Sequence, residues 1–218
     1  MKKNTISWLE LLLLLSLSGC AVNSPTLNPP TEWGKYEAIV GGAKVAYQLP
    51  KGDEYSPAPH HEIRLDKHDA LGHDPLGGVV FGARPQGREL ANVLFRVSII
   101  DFKAAADHPL SAEELQQKLN EEHHQPAANL RQDKGVLTRL ADSEIVKMES
   151  GTWVHMRLVD AENGLPWGES YSQYFDNKHY LFVQSLLWST ASKNQDFVLE
   201  STAVVRRIAA SVKIQATN

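Results

Sequence analysis

Four strand-length segments separated by short turns fill residues 143–188, and no other part of the chain constrains the fold as much. The segments cover residues 143–149, 152–160, 169–175 and 179–188. The residues between them are of types that favour tight turns: Gly151, Asn163-Gly164 and Asp176-Asn177. Short turns join antiparallel strands, because parallel neighbours need a long crossover. The pattern therefore predicts an antiparallel meander.

The last of these segments carries apolar side chains at both of its alternating positions. They are Tyr180, Leu181, Phe182, Val183, Leu186 and Leu187. A strand that is covered on both faces has this composition, so residues 179–188 are predicted to lie in the middle of a sheet. Four further strands are predicted in the first half of the chain. Residues 35–40 and 44–49 flank a Gly41-Gly42 hairpin turn, and residues 77–84 and 92–101 follow.

Two segments have the signals of helices. Ser111 and Glu114 have the spacing of a capping box, and Pro126 ends the helix that they begin. Residues 195–210 form the second predicted helix. Apolar side chains recur at helical spacing along this segment and just beyond its end: Phe197, Val198, Val205, Ile208 and Val212.

The element order β-β-β-β-α-β-β-β-β-α predicts an α+β fold in which two helices pack on an antiparallel sheet. An early hairpin, a mid-chain helix, a long meander and a C-terminal helix resemble the PsbP/Mog1-like α/β sandwich. Bacterial lipoproteins of the DcrB kind are assigned to the same class. The resemblance covers residues 36–214, rests on element order and carries over no site residue. It implies a binding or assembly role, although a shared fold does not fix a function.

The N-terminus has the features of a targeting signal. Lys2 and Lys3 precede a short leucine-rich run, which ends in Leu17-Ser18-Gly19-Cys20. This segment resembles the signal peptide and lipobox of bacterial lipoproteins. The resemblance implies that residues 1–19 are removed and that Cys20 is acylated on its sulfur and on its new amino group.

The mature chain is predicted to consist of a tether and one domain. Residues 20–32 form a lipidated N-terminus and a Pro-rich tether, and residues 33–218 form a single globular domain with an irregular His- and Pro-rich loop at 50–76. In Gram-negative lipoproteins the residue after the lipidated cysteine directs sorting. Ala21 implies, by that resemblance, the outer membrane with the domain facing the periplasm.

Charge and cysteine content exclude several classes of partner. Removal of Lys2, Lys3 and Glu10 with the signal takes the formal net charge from −4 to −5, so nucleic acid is not an expected partner. Attachment to the membrane is expected through the lipid on Cys20, because several acyl chains are needed for stable anchoring. Cys20 is the only cysteine, so no disulfide partner exists.

The irregular loop collects side chains that can bind metals. Four histidines stand near carboxylates there: His60, His61, His68 and His73. Imidazole and carboxylate ligands suit zinc, copper or nickel. The His61-Glu62 pair lacks the second histidine of the zinc-protease helix, because Leu65 stands in its place. A solvated polar loop is the alternative interpretation.

Aromatic residues of the meander suggest a second candidate site. Trp167, Tyr171 and Trp188 could line an apolar groove for a ligand, or they could be ordinary core packing. His155 alternates with Trp153 along one predicted strand, and this pattern is interpreted as part of a surface ladder.

No local motif of nucleophilic, nucleotide-binding or paired-carboxylate catalysis occurs in the sequence. The leading hypothesis is a non-catalytic, lipid-anchored binding or assembly protein that needs no cofactor and has a protein partner in the periplasm. One alternative is a periplasmic immunity or inhibitor protein that neutralises a secreted toxin. The other is a metal-binding lipoprotein that uses the loop from His60 to Asp74.

Overall fold

The described residues form a mixed α+β fold built from antiparallel sheets and two helices. The computed structural model describes residues 26–40, 42–57, 74–83, 93–101, 107–123, 127–129, 136–187 and 191–216. The strands in these ranges are β1 Glu32–Val40, β2 Ala43–Lys51, β3 Tyr55–Pro57, β4 Asp74–Ala83, β5 Val93–Asp101, β6 Ala127–Asn129, β7 Val136–Met148, β8 Gly151–Asp160, β9 Pro166–Tyr174, β10 His179–Leu187 and β11 Lys213–Ala216. The helices are α1 Ala112–Glu122 and α2 Gln195–Ala210, and a 3-10 turn covers Ala191–Lys193.

The strands form two sheets. A three-stranded sheet has the order β1-β2-β11, and an eight-stranded sheet has the order β3-β4-β5-β10-β9-β8-β7-β6. The meander predicted from the sequence is present as β7 to β10, with each strand antiparallel to the next. β10 lies between β5 and β9, with Val183 opposite Val97 on one side and Tyr171 on the other. Its predicted place in the middle of a sheet is confirmed.

Helices cover opposite faces of the large sheet. One cluster of buried apolar residues, which we call the main core, contains the fully buried Trp153 of β8 and Phe197 of α2. The next residue, Val154, points to the other face, because side chains alternate along a strand. It packs with Met156 and with Leu115 of α1 in a separate cluster. The main core also takes in buried residues of β2, so the small sheet shares it.

Both helices begin with polar caps. Ser111 Oγ accepts a hydrogen bond from the backbone of Glu114 at 3.2 Å, and Glu114 Oε2 accepts one from the backbone of Ser111 at 2.8 Å, so the capping box is confirmed. Asn194 caps α2, which covers the predicted residues 195–210. Neither described helix has both the length and the apolar character that crossing a membrane requires.

The segment before β1 is held against the domain. Leu27 is buried in the main core. The backbone and side-chain nitrogens of Asn28 donate to Glu54 at 3.1 and 2.7 Å, and the Tyr55 hydroxyl donates to the Asn28 carbonyl at 2.8 Å. Leu27 and Asn28, which the sequence places in a tether, therefore contact the folded domain.

Candidate functional site

The first candidate site is a buried histidine on β8. Trp153 and His155 lie on the same face of this strand, and both are buried. The surface ladder expected at these positions is wrong, because Trp153 packs in the main core and the Tyr171 ring stacks on His155. His155 has two carboxylate neighbours, one on each adjacent strand.

Both ring nitrogens of His155 meet a carboxylate. Nδ1 lies 3.1 Å from Oε1 of Glu144 on β7, and Nε2 lies 2.9 Å from Oε2 of Glu169 on β9. The ring of Tyr171 stacks on the imidazole with 4.4 Å between the ring centroids. Strand register produces this arrangement, because Glu144, His155 and Tyr171 stand directly opposite one another on three neighbouring strands. We call Glu144, His155 and Glu169 the histidine bridge.

The histidine bridge favours the protonated imidazole. Burial lowers the pKa of His155, but hydrogen bonds to Glu169 and Glu144 and the charges of both groups outweigh burial and raise it above its ordinary value. Only the protonated ring can donate from both nitrogens at once. The side chains of His155 and Glu169 are 9% and 6% exposed, whereas that of Glu144 is 62% exposed. Within the described residues, Oε1 of Glu169 has no hydrogen-bond partner.

An exposed ion pair stands beside the histidine bridge. Arg157 follows His155 on the same face of β8, and its guanidinium bonds the carboxylate of Asp142 on β7, with Nε 2.8 Å from Oδ1. The hydrogen bond from Arg157 lowers the pKa of Asp142 below its ordinary value. Burial, followed by the charge of Glu169, raises the pKa of the Tyr171 hydroxyl. The hydrogen bonds of Arg157 to Asp142 and of His155 to Glu144 and Glu169 join β7, β8 and β9.

The histidine bridge is suited to holding a proton between two carboxylates, and it ties three strands together. In the described ranges, no group of three or more His, Cys, Asp or Glu side chains is placed to hold a metal ion. The hydrogen bonds of His155 to both neighbouring strands are the observation that supports a structural role for the bridge.

The second candidate site is the free side of β1, which we call the β1 edge (Glu32–Val40). In the part of the chain that the structure describes, β1 pairs with β2 alone, along all nine of its residues. Ile39 is 74% exposed and Tyr36 is 37% exposed, and both are large apolar side chains. A strand edge with this exposure offers backbone donors and acceptors together with apolar surface.

Charged and aromatic contacts fix the side chains around the β1 edge. Oε2 of Glu37 lies 2.8 Å from Nζ of Lys44 on β2. The Tyr36 ring stacks on the ring of Tyr47, which is buried, with 6.2 Å between the centroids. The Arg207 guanidinium of α2 lies 4.1 Å from the centroid of the half-buried Trp33 ring.

The aromatic groove predicted from the sequence is not formed by the two of its residues that the structure describes. Trp167 and Tyr171 are both buried. Trp167 packs in a small cluster with Leu158 and Leu186, whereas Tyr171 belongs to the main core. The other predicted site residues lie outside the described residues: Trp188, the proposed lipid attachment site Cys20, and the histidines His60, His61, His68 and His73.

Comparison with known proteins adds two structural likenesses. No protein-family model matches the chain, and no curated protein matches it. The solution structure of cyanobacterial PsbP (CyanoP) from Synechocystis sp. PCC 6803 is similar at 12% identity with a TM-score of 0.49, over 90% of this chain and 96% of that one. A crystal structure from Bacteroides thetaiotaomicron VPI-5482 is similar at 12% identity with a TM-score of 0.34, over 83% of this chain and 48% of that one. Neither likeness transfers a site residue or an activity.

Proposed function

We propose that this chain is a lipid-anchored binding or assembly protein of the cell envelope, which docks a protein partner along the β1 edge and catalyses no reaction itself. The domain would stand on the outer membrane and face the periplasm, held by acyl chains on Cys20. On its element order we place it among the PsbP/Mog1-like sandwiches. The observation that carries the proposal is the nine-residue β1 edge, with its exposed apolar side chains.

An extended segment of a protein fits this edge better than a small molecule does. Strand addition supplies a row of backbone hydrogen bonds, and alternate side chains then give specificity. Lys35, Glu37 and Ile39 share one face of β1, so they present a positive, a negative and an apolar group in order. A partner strand of complementary pattern would pair with all three. Small ligands bind in clefts that enclose most of their surface, whereas this edge is a row of exposed side chains and backbone groups.

The anchor is tested by fractionation of cell envelopes. The full-length protein should partition with membranes and incorporate labelled palmitate, and Cys20→Ser should release a folded domain into the soluble fraction. A variant that still sediments with membranes after a salt wash contradicts the anchor.

The docking surface is tested by photocrosslinking in intact cells. A photoreactive benzoyl-phenylalanine at position 39 should form an adduct with another polypeptide. The matched control is the same residue at position 199 on α2, because Leu199 is also exposed. Equal adducts at both positions, or no adduct at position 39, contradict docking along the β1 edge.

A further inference from the structure

We infer that the β1 edge pairs with the β1 edge of a second copy of this chain, antiparallel about Tyr36, so that two three-stranded sheets become one six-stranded sheet. The inference rests on the proposed function, because it takes the same edge as the docking surface and names its partner. The sequence and register of β1 carry it.

β1 is complementary to itself in one antiparallel register. Tyr36 is the middle residue of Glu32–Val40, so placing it on a two-fold axis pairs all nine residues. In that register Lys35 stands opposite Glu37 of the second copy, and the symmetry repeats this pair on the other side of the axis. Opposite charges that face each other across two strands stabilise the pairing.

The nearest alternative registers place like charges together. Only alternate residues of an edge strand point their backbone N–H and C=O groups toward a partner strand. The two-fold axis must therefore pass through a residue, and the positions nearest to Tyr36 are Lys35 and Glu37. Centring the axis on Lys35 puts two lysines opposite each other, and centring it on Glu37 does the same with two glutamates. Like charges directly opposite each other destabilise a strand pair. The charge pattern therefore selects Tyr36 as the centre.

Apolar contacts agree with the same register. Ile39, the most exposed large apolar side chain of the described residues, stands opposite Trp33 of the second copy. The pairing of Gly34 with Ala38 places small residues on each side of the two Tyr36 side chains. Oε2 of Glu37 already meets Lys44 at 2.8 Å. Its second oxygen can accept a hydrogen bond from Lys35 of the second copy.

The position of the anchors is compatible with this dimer. Leu27 and Asn28 hold the N-terminal segment on the domain just before β1 begins. In an antiparallel pair the two Glu32 ends lie at opposite ends of the strands, about 27 Å apart at roughly 3.4 Å per residue. A two-fold axis along the membrane normal lets both lipid anchors enter one leaflet. Confinement to that leaflet raises the effective concentration of each edge for the other.

Charge exchange tests the register. Sedimentation of the full-length protein in detergent micelles should show a dimer that weakens at high salt. Lys35→Glu places two glutamates opposite each other twice and should weaken the dimer roughly tenfold or more. The double variant Lys35→Glu/Glu37→Lys restores opposite charges and should recover the dimer. The inference is overturned if the wild type remains a monomer up to ~100 μM. It is also overturned if the double variant dimerises no more tightly than Lys35→Glu.

A disulfide at the two-fold axis gives an independent test. Directly opposed Cα atoms of antiparallel strands lie about 4.5–5.5 Å apart, within the range of a disulfide. Tyr36→Cys should therefore link two chains under mild oxidation. Ile39→Cys should not, because its counterpart lies far along the pair even though position 39 is more exposed. Equal linking at both positions contradicts the register. If position 39 crosslinks to another protein in cells while the chain is monomeric, the proposed function stands and the dimer falls.

Discussion

Replacing His155 with leucine should cost the domain about 5 kcal/mol of folding free energy. The imidazole bonds Glu144 and Glu169, and its removal leaves Glu169 without a hydrogen-bond partner for either oxygen among the described residues. Glu169 is only 6% exposed, and removing one partner of a buried ion pair costs about 3–5 kcal/mol. Loss of the Tyr171 stack adds about 0.5–1.5 kcal/mol. Small domains have about 5–15 kcal/mol in total, so the change should be easily measured.

Urea unfolding followed by circular dichroism provides the measurement, and two further variants separate the causes. His155→Leu/Glu169→Leu removes both charges and should recover most of the loss, since an apolar replacement of a buried pair is often neutral. Asp142→Asn breaks the neighbouring exposed ion pair with Arg157 and should cost at most about 1 kcal/mol. A loss of less than about 1 kcal/mol in His155→Leu, or a double variant no more stable than this single one, contradicts a buried ion pair between His155 and Glu169.

The histidine bridge also predicts the pH dependence of stability. Burial lowers the pKa of His155, but its hydrogen bonds to Glu169 and Glu144 raise the net value above that of the unfolded chain. The stabilisation is therefore complete below about pH 6.5, the unfolded value, and is lost as the pH rises through the folded pKa. The unfolding free energy of the wild type should therefore fall as the pH rises from about 6.5 through the folded pKa of His155. His155→Leu should lack that fall, and an unchanged slope in this variant contradicts the prediction.

Three further predictions concern packing and capping, and each is measured as a change in unfolding free energy. Leu27→Ala should cost about 2–5 kcal/mol, because Leu27 is buried in the main core. The control Thr26→Ala, at an exposed position, should change stability by less than about 0.5 kcal/mol. Similar losses in both variants contradict docking of this segment. Gly168→Ala should cost about 1–3 kcal/mol, because a Cβ there overlaps the backbone carbonyl oxygen of Ser185, and a neutral result contradicts the close approach of β9 and β10. Ser111→Ala should cost about 1 kcal/mol by removing the cap of α1, and no loss at all would argue against the capping box.

Much of the secondary structure could be predicted because local signals agree with the final fold. α2 has the predicted bounds, and α1 begins at its predicted capping box. The strands of the meander are bounded by turn residues, such as Gly151 and Gly164 with positive φ angles. The short strands β3, β6 and β11 were not predicted, because a strand of three or four residues is stabilised mainly by the neighbour to which it pairs.

The candidate sites could be predicted less well than the secondary structure, because contacts between residues distant in the chain form them. His155 has an ordinary alternating pattern in the sequence, and its carboxylate partners are 11 and 14 residues away. The only available signal was that Glu144 and Glu169 fall in strands on either side of β8, and reading it requires the register to be known. Trp167 and Tyr171 could equally be core or groove from the sequence. Their burial in separate clusters depends on what covers each face of the sheet.

Local sequence signals were enough to predict both described helices, the strands of the meander and the central place of β10, and they give the expectation of a lipid anchor at Cys20. Several strand boundaries differ from the prediction; β7, for example, begins at Val136 rather than at Ser143. These predictions follow from residue types and periodicities that act over a few residues. Local signals do not reveal that β1 and β2 separate with β11 into a second sheet, that β1 lies at its edge, or that His155 is buried between two carboxylates. The physical reason is that pairing and burial join residues far apart in the chain, so their energies depend on which surfaces meet.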